Sequence, residues 1–134
     1  MPLDADAVGR WFDEYFDTYA ACARGEREMS TLLSLYGVPM VLTTDEGVVT
    51  LMTDDEAAAV VQSQIDGLRA QGYHHTDVLH SEVTVLNSTS ALLRASLSRR
   101  NADAGEFDSP TITYLVTDDV AGLRIVLLAV HGQT

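Results

Sequence analysis

The sequence has a single cysteine, no long apolar run and few positive charges. Cys22 alone cannot form an internal disulfide or a cysteine-based zinc site. No apolar run reaches the roughly 18 residues that a membrane-spanning helix needs. The first residues also lack the charged-then-apolar pattern of a signal peptide. We therefore expect a cytoplasmic protein that does not contact the membrane.

Positive charge is scarce, since 20 acidic residues oppose 8 Lys plus Arg and give a net charge of −12. This negative field repels phosphate backbones, and no basic stripe with interleaved aromatics offsets it, so we expect no nucleic-acid binding. Hydrophobic residues make up 46% of the 134 positions, enough for a packed core. The chain shows no internal repeat, low-complexity segment or linker, which predicts one domain over residues 1–134.

Three segments have the patterns of helices. Aromatic residues recur at helical spacing from Asp4 to about Arg24. A shorter helix is predicted from about Met29 to Tyr36, where glycine and proline follow. Thr53 and Glu56 form a capping box that opens the third helix, and this helix is expected to stop near Gly72.

Six apolar, β-branched segments predict strands, and the first two flank a short turn that ends in glycine. The order is helix, helix, hairpin, helix and then four strands. This order predicts an α+β fold in which a curved antiparallel sheet of about six strands wraps around the N-terminal helix and leaves a cavity. The predicted strands are Val38–Thr44, Val48–Met52, Val78–Leu86, Ala91–Arg99, Thr111–Thr117 and Leu123–Val130.

Three stretches carry a resemblance to a known family. ARGE (Ala23 to Glu26) is similar to the step that closes that family's first helix. LLSLYGVPMVLTT (Leu32 to Thr44) is similar to its second helix and first strand, and TYLVTDDVAGLRIVLLAVHG (Thr113 to Gly132) to its closing hairpin. In this order they resemble the nuclear transport factor 2-like superfamily, which includes SnoaL-like polyketide cyclases and ketosteroid isomerases. The resemblance implies a cone-shaped half-barrel with three helices.

The resemblance also implies where a catalytic base would lie. Relatives of the isomerase and cyclase type place a carboxylate at the end of the first strand, and the ungapped equivalent here is Thr44, which cannot act as a base near neutral pH. Asp45 follows it in the hairpin turn. Whether the protein is an enzyme is therefore left open. The candidate non-standard acid–base pair is Asp45 with Tyr15, Tyr19 or His131. Strand alternation places His131 at the end of an inward-facing row.

An aromatic stripe predicts a binding pocket. Trp11, Tyr15 and Tyr19 lie on one side of the first helix, and the resemblance implies that this helix crosses the mouth of the cone. Tyr114 could meet them from the sheet. We expect these four residues to line a ligand pocket, because apolar pockets with a few polar groups are the usual form of such sites. Core packing is the alternative explanation for the same stripe.

The segment GYHHTDVLH holds three of the four histidines. Along an extended strand, His75 and His80 point to opposite faces, and His74 and His80 lie roughly 20 Å apart. We therefore expect a polar connection between a helix and a strand, and neither a metal site nor a cofactor. His80 is expected on the outer face of the sheet together with Glu82, rather than in the pocket.

Three hypotheses about function follow. The first is a homodimer whose cone cavity binds a small hydrophobic molecule without catalysing a reaction on it. The second is a cyclase, isomerase or hydrolase-type enzyme with a non-standard acid–base pair. The third is a non-catalytic interaction module that uses the outer face of the sheet. Both faces of the late strands are rather apolar, which is typical of a sheet covered on both sides and predicts a homodimer through the sheet.

Overall fold

The computed structural model describes residues 3–132 and confirms the predicted α+β order. In this range a bent, mostly antiparallel sheet and three helices form the expected cone-shaped half-barrel. The elements are α1 Ala5–Ala23, α2 Met29–Leu33, β1 Tyr36–Thr44, β2 Gly47–Leu51, α3 Asp54–Ala70, β3 Tyr73–Asn87, β4 Ser90–Asn101, β5 Glu106–Asp108, β6 Thr111–Asp119 and β7 Gly122–Val130.

Side-chain caps and a cross-helix cation fix the two long helices. The Asp4 carboxylate accepts from the Ala7 amide at 2.8 Å at the start of α1. The Thr53 hydroxyl accepts from the Glu56 amide at 3.1 Å at the start of α3, as predicted, whereas the Glu56 carboxylate accepts from the Met52 amide at 2.9 Å instead of closing the box on Thr53. Arg69 of α3 donates to the last carbonyls of α1 at 2.7 and 2.8 Å. The Arg69 guanidinium satisfies carbonyl groups at the end of α1 that have no partner within the helix, and its positive charge complements the helix dipole.

The second helix is shorter than predicted, because the chain after Leu33 pairs with a distant strand. The Leu35 carbonyl accepts from the amide of Ile125 at 2.9 Å, and Tyr36 lies opposite the same residue in the sheet. Residues 34–36 were therefore wrongly assigned to a helix. Because α2 ends early, Tyr36 is the first residue of β1, and its side chain lies in the buried core.

The strands lie in the order β2-β1-β7-β6-β4-β3, and β5 pairs with β4. All pairs are antiparallel except β1 with β7, which are parallel. Two features were not predicted. β3 begins at Tyr73 instead of Val78, and the long polar loop after β4 contains the three-residue strand β5. As a result, the described sheet has seven strands, one more than the sequence indicated.

One face of the sheet packs against the helices and contains the core. Its β4 row is Ala91, Leu93, Ala95 and Leu97, all buried, and β6 contributes Ile112, Tyr114 and Val116. Aromatic rings of α1 contact Tyr114 directly. We call this the inner face. The alternate residues form the outer face, which the three described helices leave uncovered.

A bulge in β7 reverses the facing of its second half. Val116 pairs with Ile125 but Leu115 pairs with Leu127, so Val126 is an extra residue. Ile125 faces inward, whereas Leu127 and the residues that alternate with it face outward. The inward row that was predicted to end at His131 is therefore wrong.

No helix in residues 3–132 has the length and apolar character that crossing a membrane requires.

Candidate ligand cavity and its mouth

Three of the four predicted pocket residues line one small internal cavity. Tyr15 and Tyr19 reach it from α1, where they lie one helical turn apart, and Tyr114 reaches it from β6. The ring centroids of Tyr15 and Tyr114 are 5.8 Å apart. The cavity has a volume of about 20 Å³, which is room for a single water-sized group.

Trp11 does not line this cavity, but it packs against two aromatic side chains next to it. Its indole is parallel to the Tyr15 ring at a centroid distance of 6.0 Å, and meets Phe12 edge-on at 5.0 Å. Such aromatic contacts restrict the Tyr15 side chain. Trp11 therefore acts through Tyr15 and does not itself border the cavity.

The tyrosine hydroxyls near the cavity are deeply buried. The hydroxyls of Tyr15 and Tyr36 lie 2.6 Å apart and share a hydrogen bond. The hydroxyl of Tyr19 is buried and has no hydrogen-bond partner among residues 3–132. Burial raises the pKa of Tyr15, Tyr19, Tyr36 and Tyr114 above the ordinary tyrosine value. All four hydroxyls are therefore protonated at neutral pH, and one of the Tyr15 and Tyr36 protons is used in their shared hydrogen bond.

A second, larger and more apolar cavity lies beside the first, between α3 and strands β1 and β7. Its volume is about 260 Å³. Gln64 and Leu128 border both cavities, so the two are neighbours. Its apolar lining consists of Tyr36, Met40, Leu42, Val60, Val61, Leu128 and Val130, and its polar lining of Thr44, Ser63 and Gln64.

A polar opening of about 310 Å³, which we call the mouth, adjoins both cavities. Asp45 and His131, the two candidate catalytic residues, both border it, as does Thr44. Asp45 is exposed in the β1–β2 turn. The His131 ring nitrogen Nε2 lies 2.7 Å from the Thr113 hydroxyl, on the outer-face side of the strand. The structure thus brings the two candidates to one opening, with no hydrogen bond or ion pair between them.

Gln64 and Arg99 are site residues that the sequence analysis missed. Gln64 borders all three spaces, and Arg99 borders the small cavity and the mouth. A signal for each was present. Gln64 interrupts the apolar stripe of α3, one turn from Val61 and Leu68, and Arg99 continues the inward row of β4 two residues after Leu97. A polar residue at a core position is the informative observation.

The histidines lie within β3 rather than in a connection before it. A register irregularity at His74 brings its Nδ1 within 3.0 Å of Nδ1 of His75. His80 pairs with Ser96 on the outer face, where Nε2 lies 3.5 Å from Glu82. Within the described range, no three His, Cys, Asp or Glu side chains are placed to hold a metal ion.

The fold and interior define a class of protein, the open α+β cones with a cavity between sheet and helices. Within that class, the chain belongs to the family described as NTF2-like protein (DUF6841), whose model matches residues 5–133. This match confirms the resemblance to the nuclear transport factor 2-like superfamily. A comparison with curated proteins found no match.

Solved structures share the fold at low sequence identity. A protein of unknown function with a cystatin-like fold from Nostoc punctiforme has a TM-score of 0.74 and 14% identity, over 97% of this chain and 93% of that one. An NTF-2 like protein of unknown function from Shewanella oneidensis has a TM-score of 0.70 and 13% identity, over 96% and 98%. A putative calcium/calmodulin dependent protein kinase II association domain from Xanthomonas campestris has a TM-score of 0.67 and 12% identity, over 98% and 91%.

Proposed function

We propose that this NTF2-like domain binds a small, largely apolar molecule in the interior of the cone and does not transform it. The observation that carries the proposal is the 260 Å³ apolar cavity beside the buried tyrosines. A concave, mainly apolar space with a few convergent polar groups is the usual form of a small-molecule site. The position at which related isomerases and cyclases carry a base is Thr44, which supports binding rather than turnover.

Native mass spectrometry and thermal shift with a library of small hydrophobic molecules test this proposal. The wild-type protein is expected to retain a subset of the library and to gain thermal stability with them. Val60→Phe places a larger side chain in the cavity lining and should abolish retention. Ala59→Phe, at an exposed position on the same helix, is the matched control. If no library member binds, or if Val60→Phe binds as well as the control, the proposal is wrong.

A second candidate is an enzyme with a non-standard acid–base pair, which the shared position of Asp45 and His131 at the mouth favours. A general base must come within hydrogen-bond reach of the proton that it removes, and both groups border the space that a substrate would enter. Asp45→Asn or His131→Ala should then abolish turnover of an enone or polyketide-like substrate, whereas Asp119→Asn at the end of β6 should not. Unchanged rates in the first two variants would contradict these roles.

We also propose that two copies pair through the outer face. In-register pairing places one apolar row across four strands, composed of Val41, Leu127, Leu115 and Leu92. These side chains are partly exposed, and none of the described helices covers them. Apolar residues in one continuous row are suited to burial against a second copy of the same surface.

Light scattering tests the dimer. The wild type should have the mass of a dimer at micromolar concentration, Leu115→Arg the mass of a monomer, and Ala59→Arg the wild-type mass. A monomeric wild type would contradict the dimer, and it would also count against a non-catalytic interaction role for this face. The cytoplasmic location expected from the composition stays a proposal, and cell fractionation tests it.

A further inference from the structure

Hydroxyl protons in the interior lack an acceptor among the described residues. Tyr15 and Tyr36 share one hydrogen bond, which uses one of their two hydroxyl protons and leaves the other without an acceptor. The hydroxyl of Tyr19 has no partner at all among the described residues, although only 8% of this residue is exposed. The residues that line the small cavity include no carboxylate. Unpaired buried donors destabilise a fold, so these hydroxyls favour an acceptor on a bound molecule.

Arg99 adds positive charge to the same place. It is the one charged residue that lines the small cavity, and its side chain is 13% exposed. Its Nη1 donates to the Asp108 carboxylate at 3.0 Å, on the side of the mouth. A guanidinium has five N–H donors in a planar fork, so it can bind a second acceptor at the same time.

We propose that this donor cluster binds the carboxylate of an amphipathic organic acid whose hydrocarbon part occupies the 260 Å³ cavity. The inference rests on the proposed binding function and names its ligand class. The small cavity has room for one oxygen, close to Tyr19 and Tyr114. The second oxygen lies toward Arg99, which borders both the small cavity and the mouth. The hydrocarbon part passes Gln64, which borders all three spaces.

An acid is a better match than a neutral alcohol of the same length. Charge-assisted hydrogen bonds are about twice as strong as neutral ones, and a planar carboxylate fits the guanidinium fork. Two carboxylate oxygens can also accept from several donors at once, whereas an alcohol accepts through one oxygen only and brings a further donor with it. The overall charge of −12 opposes anion binding in general. Selective binding of an acid must therefore depend on this local cluster.

Isothermal titration calorimetry with octanoate and 1-octanol tests the inference, because the two probes share one tail and differ in the head group. The wild type should bind octanoate more tightly than 1-octanol. Tyr19→Phe and Arg99→Gln should each weaken octanoate by about tenfold or more and leave 1-octanol within about twofold, as expected for hydrogen bonds to a charged group. Arg94→Gln removes the same charge from an exposed position on β4 and should change neither affinity.

The outcomes separate the inference from the function on which it rests. Equal affinity for the two probes overturns the carboxylate site and leaves apolar ligand binding in place. A preference for octanoate that survives both Tyr19→Phe and Arg99→Gln also overturns it, since the acid then binds elsewhere and a trapped water serves Tyr19. Failure of 1-octanol, octanoate and the whole hydrophobic library to bind overturns the proposed function as well. Tyr19→Phe keeps the test valid if Arg99→Gln does not fold.

Discussion

The buried tyrosines offer a matched pair of substitutions, Tyr15→Phe and Tyr19→Phe, whose effects on stability should differ. Both side chains lie on α1 in the core, with 2% and 8% of the residue exposed. The Tyr15 hydroxyl has a partner at 2.6 Å, the hydroxyl of Tyr36, whereas the Tyr19 hydroxyl has none in the described part of the chain. Each change deletes one oxygen from similar surroundings, so the difference between them reports on hydrogen bonding.

The expected magnitudes follow from these partners. Tyr15→Phe leaves the Tyr36 hydroxyl buried without a partner, which should lower the free energy of unfolding by about 1–3 kcal/mol. Tyr19→Phe removes a group that is already unpaired, so it should change the free energy by less than about 0.5 kcal/mol or increase it. An unfolding entropy of about 2.1 cal/mol/K per residue over 134 residues converts a loss of 2 kcal/mol into a drop of about 7 °C in Tm.

Differential scanning calorimetry measures both values, with protein concentration held constant because self-association would shift Tm. The double variant Tyr15→Phe/Tyr36→Phe should lower the free energy of unfolding by less than the sum of the two single changes. The reason is that Tyr36→Phe removes the hydroxyl that Tyr15→Phe leaves unpaired. The reasoning is refuted if Tyr15→Phe has no effect, or if Tyr19→Phe is as costly as Tyr15→Phe. The latter result would mean that the Tyr19 hydroxyl has an acceptor in the ligand-free protein.

Three further predictions concern the backbone, a cap and alkaline pH. Gly9→Ala in α1, where an added Cβ meets nothing within 4 Å, should stabilise by about 0.5–1 kcal/mol in urea titration. Gly25→Ala, at a φ of +78°, should destabilise by about 1 kcal/mol, and equal effects of the two would contradict this explanation. Thr53→Ala should cost about 1 kcal/mol through loss of the α3 cap, whereas the exposed Thr50→Ala should cost less. The four buried tyrosines have a raised pKa in the folded state, so their contribution to stability is complete below pH 10.0 and is lost as pH rises above it. Tyrosinate absorbance should therefore appear together with unfolding, and its appearance before any loss of circular dichroism would refute the prediction.

The order of elements could be predicted because it depends on local signals. Helical spacing of aromatics, the Thr53 cap and the turn before Gly47 act within a few residues, and all three appear in the structure as expected. The end of α2 could not be predicted in this way. Tyr36 leaves the helix because it pairs with Ile125, almost ninety positions later, and no local pattern contains that partner.

Bulges explain why the site was harder to predict than the fold. Strand alternation assigns a face to each residue only while no extra residue intervenes. The extra residue Val126 turned His131 away from the inner face, and the register irregularity at His74 brought two neighbouring rings together. Tyr15, Tyr19 and Tyr114 lie on regular parts of α1 and β6, where helical spacing and strand alternation hold, and they border one cavity. Gln64 and Arg99 were not predicted because each is a single polar residue in an otherwise apolar row and belongs to neither the aromatic stripe nor the carboxylate positions.

The position of β7 in the sheet has a consequence for how the protein is made. β7 is the last strand in the described chain, yet it lies between β1 and β6 and joins the early hairpin to the later strands. Without residues 122–130, the β1–β2 hairpin and strands β3 to β6 have no pairing that joins them, and β1 and β6 each have an unpaired edge. Pairing of β1 with β7 must then close a loop of about eighty residues, which is slow compared with local hairpin formation. Until that pairing forms, the open edges of β1 and β6 are available to strands of other chains.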